Sequence, residues 1–254
     1  LLPRGAAGMT QGAKLTIEVT REAIPGVEPW KRPLAKVSAD EPQAARALTG
    51  RELAFPASRD ALADAGWHDL FDEARSGVIS FAGGELRISP APAMTLIDVD
   101  GYLPPDELVV RGAGEGARAI RRLDIGGSIG IDLPTSGSKA ARQDAAAAID
   151  AVVPQPFERT AVNGFGFVQI LRPRLRASLV ELAQDRAAFE ARALLRSAAF
   201  ERAGRKRLVG HPAVINVLEN RKHWLGELAR QVGGAIELRA DAALPMSGGY
   251  AESL

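Results

Sequence analysis

Two stretches of this chain place carboxylates on apolar runs. "TLIDVDGYL", residues 95–103, carries Asp98 and Asp100 among Thr95, Leu96, Ile97 and Val99, and "GGSIGID", residues 126–132, ends on Asp132. Neither Asp98 nor Asp100 has a Lys or Arg beside it in sequence. Burying one carboxylate without a partner costs several kcal/mol, so this pattern calls for a cation, a phosphoryl acceptor or solvent. Oxygen donors converging without His or Cys suit a hard cation such as Mg²⁺, which keeps several of its waters. Such an ion activates water and bears charge on a phosphodiester oxygen. Asp100 shares a strand face with Asp98 if the strand is regular, and there it would orient the ligand. The same acids also suit solvated strand ends or helix caps, because Asp is common just after strands.

The elements between these acids decide whether they meet. Residues 105–122 read as a helix with Leu108, Val109, Gly112, Gly116 and Ile120 largely on one face. Each helical Gly costs about 1 kcal/mol against Ala, and close packing on a sheet would offset it. Strand, helix and strand in one sheet imply a right-handed crossover and parallel strands. If the strands are neighbours, Asp98 and Asp132 meet at one sheet edge, where ligands of open α/β sheets bind.

Elsewhere, "AKLTIEVTREA" alternates as a half-buried strand with Leu15, Ile17 and Val19 on one side. Residues 25–60 read as a linker with a short helix. "SGVISFAGGELRIS" reads as a hairpin around Gly83 and Gly84. A helix begins near Ser136 or Ser138, and "GFGFVQIL" is a further strand. Residues 178–203 and 212–231 read as two helices, the second starting at His211-Pro212, where Pro suits a first turn. "AIELRA" reads as the last strand. The fold class is α/β (α+β), a mixed sheet with flanking helices.

The chain has 254 residues, 46% apolar and 25% charged, with a formal net charge of +1. There is no global basic field, so any nucleic-acid binding needs a local patch. With no Cys, disulfides and thiolate metal sites are excluded, and His68, His211 and His223 are too scattered for a histidine-built zinc site. No apolar run spans a membrane and no secretory signal is evident, which points to a cytoplasmic protein. "LRPRLR" places Arg172, Arg174 and Arg176 close to "GFGF", a pattern that can grip phosphates. Phe165 or Phe167 can stack on a base, against a bland reading as core. Lys139 and Arg142 lie one turn inside the helix after Asp132 and would reach a scissile phosphate or face solvent. "RAGRKR", 202–207, reads as a solvated basic loop. His211 reads as a cap, and Trp224 as core or interface.

"DVDGYL" resembles the first motif of haloacid-dehalogenase-like phosphatases, in which Asp98 would be the nucleophile and Asp100 the acid/base. Tyr102 stands at that motif's Thr, and no second acidic pair follows a later strand. Four ordered segments resemble the RNase E/RNase G endoribonucleases instead: "TLIDVDG", "RRLDIGGSIGID", "FGFVQILRPRLRASL" and "GHPAVINVLENRKHWLGELARQVGGAIELRAD". "LLPRGAAGMTQGAKLTIEVTREA" is similar to the second half of that family's OB-type RNA-binding barrel, rather than to a tag remnant. The resemblance implies a partial barrel over 1–37, a linker or shortened insertion over 38–68, a DNase-I-like catalytic domain over 69–178, and C-terminal helices with a closing strand over 179–254.

It further implies a Mg²⁺-dependent endoribonuclease, Mn²⁺ substituting, that hydrolyses single-stranded RNA in RNA processing to leave a 5′-phosphate. Asp98 and Asp132 match the family's metal ligands, and Asp100 falls where the family has Asn. Arg172, Arg174 and Arg176 match its RNA-contacting run. Its cysteine zinc-link motif is missing, so no zinc and no Cys-bridged dimer are expected. Its 5′-sensor Arg falls near Pro156 and its further acid near Thr135. These departures keep open an alternative, a non-catalytic RNA-binding protein.

Overall fold

The computed structural model describes residues 1–24, 31–41 and 59–254. They fall into two compact units: those of 1–46 with 69–182, and those of 47–68 with 183–254. Among them no helix is long and apolar enough to cross a membrane.

In the first unit, β1 (Thr16–Arg21) and β2 (Leu34–Ser38) form an antiparallel ribbon. The expected strand is present but not half-buried: Ile17 and Val19 are 49% and 58% exposed, and among the described residues only β2 pairs with β1. β2 also lies where a linker was expected. The rest of that linker, residues 25–30 and 42–58, lies outside the described residues. The short helix α1 (Ala61–Asp64), in the second unit, begins just after it, and α2 (Trp67–Ser76) follows.

The main sheet is mixed and six-stranded. Its strands are β3 (Val78–Phe81), β4 (Gly84–Pro90), β5 (Thr95–Gly101), β6 (Gly127–Asp132), β7 (Glu158–Arg159) and β8 (Phe167–Arg172), in the order β3-β4-β5-β6-β8-β7. The expected hairpin at Gly83-Gly84 joins β3 to β4. The expected crossover is present too: α3 (Pro105–Arg122) links β5 to β6, which pair in parallel.

Alternation explains which side the helices cover. Ile97, Val99, Ile129, Ile131, Val168 and Ile170 are buried and point to α3 and α4 (Lys139–Val152). Fully burying each such side chain is worth about 1.5–3 kcal/mol. Gly112 and Gly116 are where α3 lies against the sheet; a Cβ on Gly112 would come within 2.4 Å of Val99 Cγ1, and one on Gly116 within 3.3 Å of Ile131 Cδ1. Pro105 at the first turn, Asp106 and Glu107 beside it, and Arg121 and Arg122 at the last turn all favour α3 as placed. Ser138 caps α4 by accepting from the Ala141 amide at 3.1 Å.

In the second unit, the helices expected over 178–203 and 212–231 are each divided. α5 (Leu179–Gln184), which begins in the first unit, gives way to α6 (Arg186–Phe200) at Asp185, whose carboxylate caps the Ala188 amide. α7 (Pro212–Glu219) gives way to α8 (Lys222–Val232) at Asn220-Arg221. His211 caps α7, as expected, with Nδ1 accepting from the Ala213 amide at 3.1 Å. Trp224 packs against this unit's core, with the Arg192 and Arg221 guanidiniums 5.0 and 4.8 Å from its ring centroid.

The three-stranded sheet has the order β10-β9-β11, from β9 (Lys206–Gly210), β10 (Ile236–Ala240) and β11 (Tyr250–Ser253). Two sequence readings are corrected here. β10 is followed by another strand, β11, and the "solvated basic loop" runs into the central strand β9. Lys206 there is fully buried, its Nζ donating to the Arg202 carbonyl.

Candidate functional site

The strand register brings three of the predicted residues together. Asp98 on β5 is the parallel partner of Asp132 on β6. Partners in register point to the same side of a sheet, and the opposite side is filled by Ile97, Val99 and Ile131. Both carboxylates therefore stand on the face that the helices leave open, and Asp100, two residues on, stands with them. All three line one cavity of about 400 Å³, with Leu103, Leu108, Leu133, Pro134, Thr135 and Phe165 among its walls.

The charges in this cavity interact. Partial burial pushes the Asp98 carboxyl above the usual carboxylate range, and the negative charges of Asp100 and Asp132 push it further. Arg87 opposes this from β4, where it is the cross-strand partner of Asp98. Arg87 itself donates from Nε at 2.8 Å and Nη2 at 2.5 Å to Glu85. Sequence reasoning missed Arg87. Its signal was the alternation in "ELRIS": with Leu86 and Ile88 buried, the residue between them must face the acids.

The donor set fits a hard divalent cation, since carboxylates and no nitrogen or sulfur ligands line the cavity. Among the described residues no group of three or more His, Asp or Glu side chains is disposed to enclose a metal. Asp98 and Asp132, partners in register, are the residues that would hold such an ion, with water completing the shell of a cation that keeps several of its waters.

The predicted basic residues sit elsewhere and are engaged. Arg172 donates from Nη1 to the Ile125 carbonyl at 2.6 Å, Arg174 pairs with Glu181, and Arg176 Nε donates to Asp124 at 2.6 Å. On β8, Arg172 opposes Gly127, at the far end of β6 from Asp132. Five residues of strand put it roughly 17 Å from the acids. Arg142 donates to the Ser136 carbonyl at 2.6 Å, and Lys139 is exposed in the first turn of α4.

The two phenylalanines part company. Phe167 opposes Asp132 and lies over Gly130, where a Cβ would meet its ring at 2.7 Å. Phe165 is 83% exposed at the cavity wall, which corrects the bland reading of it as core. A hydrogen-bonded turn carries it. Asn163 Oδ1 accepts from the Phe165 and Phe167 amides at 2.9 and 3.0 Å, and Thr135 Oγ1 donates to the Phe165 carbonyl at 3.3 Å.

No protein-family model matches this chain, and no characterised protein is significantly similar to it.

Proposed function

We propose that the chain is a divalent-cation-dependent endoribonuclease of the RNase E/G type, acting on single-stranded RNA through a DNase-I-like sheet. The observation that carries this reading is the parallel register of Asp98 with Asp132, which seats two carboxylates side by side in one cavity. Asp98 and Asp132 would hold Mg²⁺, with Mn²⁺ as a substitute. When bound, that ion supplies charge for a phosphodiester oxygen and acidity for the attacking water.

The remaining work falls to this chain's own groups. Asp100, exposed beside Asp98, accepts a hydrogen bond from the attacking water and orients it toward the phosphorus. It stands where the family has Asn, and its carboxylate keeps the accepting oxygen while adding negative charge. Ser136, buried, donates to Asp106 and so ties the loop after β6 to the start of α3, holding Asp132 at its place in the row.

The test incubates single-stranded RNA with Mg²⁺ and protein, beside Asp132→Asn. Cleavage by the wild type alone supports the reading. Equal cleavage by both proteins, or by neither, overturns it, and RNA retention without cleavage indicates the non-catalytic binder.

A further inference from the structure

The open sheet face carries a row of residues that runs across the strands: Arg87, Asp98, Asp132 and Phe167, in register on β4, β5, β6 and β8. At about 4.8 Å per strand the row is roughly 14 Å long, a path of a few nucleotides. Its centre is acidic, and no Lys or Arg lines the cavity. A polyanion therefore needs a cation close by, and the arginines of "LRPRLR" are paired at the far end of the sheet. Arg87 is in the row and 62% exposed; Glu85 engages its Nε and Nη2, and Nη1 has no acceptor among the described residues.

The other flank offers a flat apolar surface. Phe165 stands out from a close turn that admits only glycine at its next position: Gly166 has φ +92°, and a Cβ there would lie 2.1 Å from the Leu133 carbonyl oxygen. The Leu133 amide in turn donates to the Gly166 carbonyl at 3.2 Å. These bonds fix the backbone beneath Phe165, so its exposed ring is presented to solvent from a defined point beside the cavity, where a nucleobase can stack on it.

We infer that single-stranded nucleic acid crosses this sheet at right angles to its strands, with one base stacked on Phe165, a phosphate held by Arg87, and the scissile phosphate over Asp98 and Asp132. Phe165 and Arg87 are positioning residues. The inference rests on the nuclease reading and adds the path of the substrate.

The test uses one RNA oligonucleotide with a single abasic site walked along it. Binding is measured by anisotropy without divalent cation, and cleavage with Mg²⁺, for wild type, Phe165→Ala, Phe165→Trp and Arg87→Gln. In the wild type, one abasic position should weaken binding and raise KM roughly five- to 100-fold. Phe165→Ala should show that loss with every oligonucleotide and no longer sense the abasic position, and Phe165→Trp should restore the pattern. Arg87→Gln should lower the salt dependence of binding by about one phosphate contact.

An abasic scan flat in wild type, or Phe165→Ala equal to wild type, overturns the stacking; an unchanged salt slope in Arg87→Gln overturns the path. Cleavage without dependence on Phe165 sinks this inference alone. Phe165-dependent binding without cleavage sinks the nuclease reading alone.

Discussion

Gly112 and Gly114 are two residues apart on α3, and alanine at each should have opposite effects. Both substitutions gain about 1 kcal/mol of helix propensity. At Gly114 the new Cβ would meet nothing nearer than Arg118 Nη2 at 3.7 Å, an ordinary contact with a flexible side chain. The gain survives there, and Gly114→Ala should stabilise by about 0.5–1 kcal/mol. At Gly112 the Cβ would lie 2.4 Å from Val99 Cγ1, on the strand that carries Asp98. Neither the helix nor β5 can withdraw without opening the core, and such overpacking costs about 1–3 kcal/mol. The net is a destabilisation of up to about 2 kcal/mol, or roughly 4–8 °C in Tm for a unit of this size. Thermal melts of both variants beside wild type should give the order Gly114→Ala, wild type, Gly112→Ala. Gly112→Ala melting at or above Gly114→Ala would refute the claim that helix–sheet contact at Gly112 sets the spacing beneath the acids.

Two further outcomes follow from local geometry. Gly166→Ala should destabilise by about 1–3 kcal/mol, since it forces a side chain into positive φ against the Leu133 carbonyl; a melt matching wild type would show that the Phe165 turn yields. Asp60 caps α1 and accepts from Arg196 at 2.7 Å, and the Arg196 guanidinium holds its carboxyl below the usual range. Asp60→Asn keeps the cap but loses the charge, and this pair is largely shielded rather than buried deep, so the loss at pH 7 should be about 1 kcal/mol or less. For a lowered carboxylate pKa, the stability is present above the unfolded value near 3.9 and lost as pH falls through the folded one. The gap between wild type and variant, followed by melting at pH 7 down to pH 3, should therefore close as pH falls; a constant gap would contradict the ion pair.

The crossover that builds the site was legible because each of its signals agrees: an apolar alternating strand, a helix whose glycines share a face, a Gly pair, and a second apolar strand. That pattern implies parallel strands with Asp98 and Asp132 at their carboxyl ends; that the strands are neighbours and pair Asp98 with Asp132 is decided by the fold. The helix breaks at Asp185 and Asn220 were hidden because the apolar period continues across them; the Asp185 carboxylate caps α6, and Asn220 closes α7 by donating Nδ2 to the Asn216 carbonyl at 2.8 Å. β9 was hidden by composition: Lys206 reads as surface, yet its stem is buried and its ammonium bonded to a carbonyl. The fate of Arg172, Arg174 and Arg176 was not legible either. An arginine run announces positive charge but not its partners: Asp124 is brought to Arg176 only by the fold, and Glu181, from the start of α5, turns back to Arg174.

The central claim is that Asp98 and Asp132 share one cation. It is tested most directly by Mn²⁺ binding in the absence of RNA, measured by electron paramagnetic resonance on wild type, Asp98→Asn and Asp132→Asn. One Mn²⁺ bound by wild type, displaced by Mg²⁺, and strongly weakened in each single variant is the predicted result. Mn²⁺ binding that is absent in wild type, or unchanged when either carboxylate becomes an amide, would contradict it.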